Sequence, residues 1–181
     1  MATRTAAGLE ELLDKIEKKS VPPDSESLSQ VVHLLAKLFS VKDDEVAIME
    51  VGPSGRTLRF VIPEKLRQVG SIPLSSTTAL ASRTARERRS DIINNFSAAR
   101  HATVFEGVPL GRHPGEAIHK IMSAPILNGG SIIGVVQICR KGASLVDAGP
   151  DFGSRDLHEL QTLMPGLVRL LTLCREPQNA A

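Results

Sequence analysis

The sequence predicts an α+β domain, an antiparallel β-sheet with helices packed on one face. Three observations carry this. Amphipathic helical patterns stand at both ends, hairpin patterns fill the middle, and no alternating strand–helix units appear. Rossmann-like parallel sheets need that alternation. With 181 residues, 41% hydrophobic and 23% charged, the chain has the size and composition of one ordinary folded domain.

The elements follow in order. Leu9, Leu12, Leu13 and Ile16 recur at helical spacing, and Ser20-Val-Pro-Pro23 stops that helix because proline cannot donate and restrains its predecessor. A second helix begins with Ser25 or Ser27 as its cap and carries the stripe Leu28, Val31, Val32, Leu35, Leu38 and Phe39. From Glu45 the period shortens. Glu45–Val51, the turn Gly52-Pro-Ser-Gly55 and Thr57–Ile62 form a hairpin pattern closed by Pro63. Residues 65–69 fit no single template, and Ile72-Pro73-Leu74 is short and extended. The hydroxyls of Ser75, Ser76, Thr77 and Thr78 offer caps for a helix over Ala79–Arg86. Asp91–Phe96 reads as a short strand. Residues 97–117 carry three glycines and two prolines with little periodicity; such a stretch inside a compact domain is functional or mobile.

The clearest pattern comes next. Ile118–Leu127 and Ser131–Cys139 read as strands joined by Asn128-Gly-Gly130, where glycine accepts positive φ. The nearly unbroken apolar run Ile132–Ile138 predicts a central strand covered on both faces. Residues 143–152 form a loop. Leu157, Leu160, Leu163, Met164, Leu167, Leu170 and Leu171 mark a last helix to about Cys174, with a kink or break at Pro165-Gly166. Residues 1–24 are thus expected to be an N-terminal helix and linker, 25–174 the folded domain, and 175–181 a frayed tail.

Composition excludes several functions. A net charge of +2 gives no whole-chain case for nucleic acid or an anionic membrane. Five Phe with no Trp or Tyr exclude a reader that stacks bases on aromatic rings. Two cysteines, Cys139 and Cys174, build neither a disulfide framework nor a tetrahedral zinc site. There is no run of 18 apolar residues, and the N-terminal helix pattern has no apolar secretory core. A reducing, cytoplasmic setting is the expectation, without nucleic acid or membrane as partner.

Among polar residues, the five histidines lack the H-x-x-x-H spacing of a helical zinc site. His33 and His158 read as helix-surface residues, and His119 begins a strand. His101 and His113, near Arg100 and Arg112, read either as solvated loop charges or as donors on a mobile cap over an anionic ligand. Arg83, Arg86, Arg88 and Arg89 surround the short helix, as a solvated face or as an anion contact. Gln137 is the one amide in its apolar strand. An unpaired buried amide costs about 1–3 kcal/mol, so it needs a partner. Alternation puts it on a face with Ile133, Val135 and Cys139, opposite Ser123 on the neighbouring strand. It bonds either a neighbouring backbone or a ligand. No catalytic residue, metal site or cofactor motif emerges. Glu106 and Glu116 have no evident acid–base partner, and the cysteines read as reduced thiols.

Three segments then carry a resemblance. They are Gly70-Ser-Ile-Pro-Leu74 followed by Ala79–Thr84, the hairpin Ser123–Cys139, and Asp151-Phe-Gly-Ser-Arg-Asp-Leu157. In this order and spacing the chain resembles a GAF domain over roughly residues 25–174. The resemblance implies a GAF-like antiparallel sheet of about six strands, N- and C-terminal helices packed on one face, and a small-molecule pocket on the other. It implies ligand contacts from Thr78, Phe96, Arg100, His101, Phe105, Ser123 and Gln137, in a pocket between the sheet and the 75–117 segment. Members that bind cyclic nucleotides carry an Asn-Lys pair after the last strand, and the matching stretch Cys139-Arg140-Lys141 lacks the Asn. Bilin-binding members and free methionine sulfoxide reductases need pocket cysteines, and none precedes Cys139. The resemblance therefore implies a non-enzymatic sensory or regulatory domain without a cofactor, binding an unknown small molecule and signalling as a homodimer through its terminal helices. The alternative is a ligand-free dimerisation scaffold with a collapsed pocket. The stripe Leu9, Leu12, Leu13 and Ile16 needs a cover, either a partner copy or the chain's own last helix.

Overall fold

The computed structural model describes residues 2–68, 70–96 and 116–175. Two helices, α1 (Ala2–Lys19) and α2 (Ser25–Phe39), lead into β1 (Val46–Val51) and β2 (Thr57–Ile62). A 3-10 turn over Glu64–Gln68 and β3 (Ser71–Pro73) precede α3 (Leu80–Glu87) and β4 (Asp91–Ile93). The long hairpin of β5 (Ala117–Asn128) and β6 (Ser131–Gly142) is followed by α4 (Ser154–Thr162) and α5 (Met164–Arg175). The strands form one antiparallel sheet ordered β3-β2-β1-β6-β5-β4. The fold class expected from the sequence is the one observed.

The hairpin sits inside the sheet. β6 lies between β1 and β5, which explains its apolar run: side chains on both its faces are covered. Gly129 and Gly130 make the turn at φ 57° and 81°, the conformation a two-residue hairpin needs. One face of the sheet, with Val46, Ile48, Ala124, Val136 and Ile138, packs against Leu13, Val31, Leu35, Leu160, Leu167 and Leu170 of the helical layer. Gly134 is fixed by this packing. A Cβ there would run into the Met49 carbonyl oxygen and the Leu171 side chain.

α2 starts where Asp24, not Ser25 or Ser27, caps it: the Asp24 carboxylate accepts from Ser27 N–H at 2.8 Å. The last helical pattern breaks at Leu163, and Pro165 lies in the first turn of α5, where a missing N–H is harmless. Leu9, Leu13 and Ile16 are buried against α5, α2 and α4, so the stripe on α1 is covered within the chain and does not call for a second copy. Gly166 permits that approach, since a Cβ there would stand 2.5 Å from Leu9 Cδ2. Arg169 clamps the pair by reaching Glu10 (2.9 Å), Asp14 (2.8 Å) and Glu17 (2.6 Å) along one face of α1.

Three local expectations are corrected. The strand expected over 91–96 closes at Ile93, where its pairing with β5 ends. The residue at the N-terminus of α3 is Ala79, without a side-chain cap; Ser76 instead accepts from the Ala79 N–H at 3.1 Å, just ahead of the helix. Ile133 does not share a face with Gln137. Leu127 pairs with Ile132 while Ile126 pairs with Gly134, so Ile133 is an extra residue, and the bulge turns it to the helical layer.

Candidate functional site

The opposite face of the sheet carries its own core. Ala47, Met49, Phe60, Ile121, Val135 and Cys139 from the strands meet Leu80, Ala81 and Ala85 of α3, together with Leu66 and Phe96. Helical spacing along α3 turns Leu80, Ala81, Thr84 and Ala85 inward. Thr84 thus brings a hydroxyl into an apolar layer.

That hydroxyl is not alone. Ser123 on β5 and Gln137 on β6 are directly paired across the ladder, and both are buried. Gln137 Nε2 donates to Ser123 Oγ at 3.2 Å, and the Ser123 and Thr84 hydroxyls lie 2.7 Å apart. The result is a three-residue polar chain running from the sheet into α3. It satisfies the requirement that Gln137 find a partner, and the partner is a side chain. Such a chain orients groups and exchanges hydrogen bonds; it holds no acid, base or activated nucleophile. Burial pushes the Cys139 thiol on this face well above its ordinary value, which keeps the nucleophilic thiolate scarce. Cys174, largely buried on α5, is pushed up to about 11 for the same reason. Among the described residues no three His, Cys, Asp or Glu side chains are grouped to hold a metal ion.

The expected site residues fall into three groups. Ser123, Gln137 and Phe96 lie on the same side of the sheet. Thr78 is exposed in the loop before α3, its hydroxyl 3.4 Å from that of Ser76. Arg100, His101 and Phe105 lie outside the described residues. His33 and His158 are exposed as expected, and His119 is buried with Nε2 3.1 Å from the Gly142 carbonyl. The arginines around α3 act locally. Arg83 pairs with Asp91 at 2.7 Å, Arg86 donates to the Leu74 and Ser76 carbonyls, and Arg89 pairs with Glu87 at 3.1 Å.

Sequence reasoning missed Thr84 and the far end of β6. Thr84 was open to detection, because it shares the apolar face of α3 with Leu80 and Ala81. At the end of β6, Arg140 is buried, donates to the Phe39 and Ser40 carbonyls at 3.1 and 2.9 Å, and caps α2. Asn94 fixes Phe152 by accepting from its N–H at 2.9 Å and donating to its carbonyl at 3.0 Å. Lys120 pairs with Asp151 at 2.7 Å, and the buried Glu45 carboxylate accepts from Lys141 N–H at 2.6 Å. These contacts join residues 31 to 101 positions apart and leave no local signature.

The cavities lined by described residues include the following two. One, of about 560 Å³, opens between the β1–β2 turn and the end of α5; the other, of about 310 Å³, lies between α2 and the segment after β2. Ser123, Gln137 and Phe96 line neither. No helix among the described residues is long and apolar enough to cross a membrane.

Comparison with known proteins agrees with this architecture. No curated protein matches the chain significantly. Solved structures do. The GAF domain of an Acinetobacter phosphoenolpyruvate-protein phosphotransferase superposes with a TM-score of 0.65 at 17% identity, covering 96% of this chain and 95% of that one. The A. aeolicus nlh2 GAF domain in an inactive state gives 0.56 at 17% identity over 97% and 100%. The free methionine-R-sulfoxide reductase of Neisseria meningitidis, in complex with its substrate, gives 0.57 at 17% identity over 94% and 92%. At such identities the likeness concerns the fold alone. The family model for the GAF domain matches residues 25–164, and the chain belongs to that family of sensory and regulatory domains.

Proposed function

We propose that this GAF domain is a non-enzymatic sensor. It binds a small molecule on the sheet face that carries Ser123 and Gln137, beneath the 75–117 segment, and passes the signal through its terminal helices as a homodimer in the cytoplasm. The observation that carries the reading is the Thr84–Ser123–Gln137 chain, a line of exchangeable hydrogen bonds in an apolar layer. A ligand that hydrogen-bonds Ser123 or Gln137 redirects that chain and moves α3 relative to β5. The absence of a cysteine before Cys139 favours sensing over the reductase chemistry of the N. meningitidis protein. A thermal-shift screen with nucleotides, amino acids and small acids tests it. A ligand should raise Tm in the native chain and fail to do so in Gln137→Leu. No shift for any compound would overturn the reading.

A second reading has its own support. Ser123 and Gln137 are already bonded to each other and buried, as a scaffold without a ligand requires. Dimerisation that is indifferent to every compound in the screen would favour it.

A further inference from the structure

We propose a second binding site, at the end of the sheet where β1 leads into its turn, for a small organic anion: a carboxylate with a short aliphatic tail. The cleft there has about 560 Å³, within the ordinary range of small-molecule sites. Two guanidinium groups face it from different elements, Arg59 on β2 and Arg175 at the end of α5. Among the described residues a single carboxylate, Glu50, stands between them. Arg59 Nη2 donates to Glu50 Oε1 at 2.9 Å, and Arg175 Nε donates to Glu50 Oε2 at 3.4 Å. Two positive charges against one negative make the described lining of the cleft a net cation. Val51, Pro53 and Ile132 supply the apolar wall against which a tail would lie.

The donor count points the same way. Arg59 uses one hydrogen bond among the described residues, so most of its planar fork is free for a second carboxylate. Arg175 also donates through Nη2 to the Val51 and Ile133 carbonyls at 3.1 and 2.9 Å. It therefore ties the end of α5 to both β1 and β6. An anion in the cleft shares these donors and so acts on the hold that the sheet has on the last helix. The site lies apart from the Ser123–Gln137 chain and stands or falls independently of the proposed sensor pocket.

The test is titration of the intact chain with sodium butyrate, followed by amide NMR. Butyrate should shift Val51 and Ile132 saturably. Butyramide, which keeps the tail and lacks the charge, should not. Arg59→Gln should weaken binding about tenfold, whereas Arg89→Gln, which removes an equal charge elsewhere, should leave it unchanged. Glu50→Gln should tighten binding severalfold by releasing both guanidinium groups. Inorganic phosphate should bind more weakly than butyrate, since it has no tail. Equal binding of butyramide or phosphate, an Arg89→Gln effect as large as that of Arg59→Gln, or weakening by Glu50→Gln would each overturn the proposal. So would an absence of shifts with butyrate in a chain whose spectrum shows it folded.

Discussion

The guanidinium of Arg140 lies 4.5 Å above the centroid of the Phe152 ring. The same guanidinium holds the end of α2 through two carbonyls, so one side chain on β6 connects α2 to Phe152, two residues ahead of α4. Lysine keeps the charge but lacks the fork and the flat face. Arg140→Lys should therefore lower stability by about 2 kcal/mol, and Phe152→Ala by about 3–5 kcal/mol. Urea unfolding measures both, with the midpoint moving and the slope unchanged. Additive losses in the double variant would show that the stacking carries no coupling.

Gly134 and Gly166 make a contrasting pair. At Gly134 the obstacle is a backbone carbonyl in the next strand, which cannot yield without breaking the β1–β6 ladder. Gly134→Ala should prevent folding or lower stability by more than about 3 kcal/mol. At Gly166 the obstacle is the Leu9 side chain, at Cδ2 and Cγ, which can shift where a backbone carbonyl cannot, and alanine gains about 1 kcal/mol of helix propensity. Gly166→Ala should therefore lower stability by only about 1 kcal/mol. Thermal unfolding of the two variants side by side decides the matter.

These sites also mark what the sequence can express. Apolar spacing reveals the two N-terminal helices, the β5–β6 hairpin and the last helix, because each pattern is local and repeats. The turn at Asn128-Gly-Gly130 is legible for the same reason. The side to which Ile133 points is not, because a bulge reverses alternation and is defined only by the partner strand. The pairing of Ser123 with Gln137 follows from hairpin register, whereas Thr84 joins them only once α3 is packed on the sheet. Arg140, Asn94 and Glu45 look like ordinary surface residues in sequence, and distant backbone groups give them their roles.

Arg169 faces three carboxylates of α1, which together hold its guanidinium firmly protonated. The cluster is largely in contact with water, so its effect is modest and screened by salt. Arg169→Ala should lower stability by at most about 1 kcal/mol in dilute buffer, and the difference should shrink in 1 M salt. Hydrogen exchange should quicken in α1 and leave β6 unchanged. Faster exchange throughout the sheet would contradict this assignment of a local clamp.

Asp24 gives a pH dependence with a definite sign. Hydrogen bonds from Ser27, followed by Lys19, hold its carboxyl down at about 2, against 3.8 without them. A carboxyl whose value is lower in the folded state stabilises the fold above its unfolded value, and that contribution fades as protons bind. Stability should thus fall between about pH 4 and pH 2. Asp24→Asn keeps the capping oxygen but cannot titrate, so it should flatten that part of the profile. A carbon-detected titration of the Asp24 carboxyl that centred near 4 would remove the basis of this prediction.

Ser123 tests the energetics of the proposed ligand face. Its hydroxyl serves both Thr84 and Gln137, so Ser123→Ala strands two buried groups at once. An unsatisfied buried polar group costs about 1–3 kcal/mol, and the single variant should lose at least that much. Replacing the entire chain removes the deficit instead of creating one. Thr84→Val, Ser123→Ala and Gln137→Leu together should recover most of the loss, because apolar side chains suit the apolar layer around them. Any stabilising ligand bound through the chain should have no effect on the triple variant's Tm. A triple variant that loses the sum of three separate penalties would show that the hydrogen bonds themselves, and not merely their satisfaction, hold α3 to the sheet.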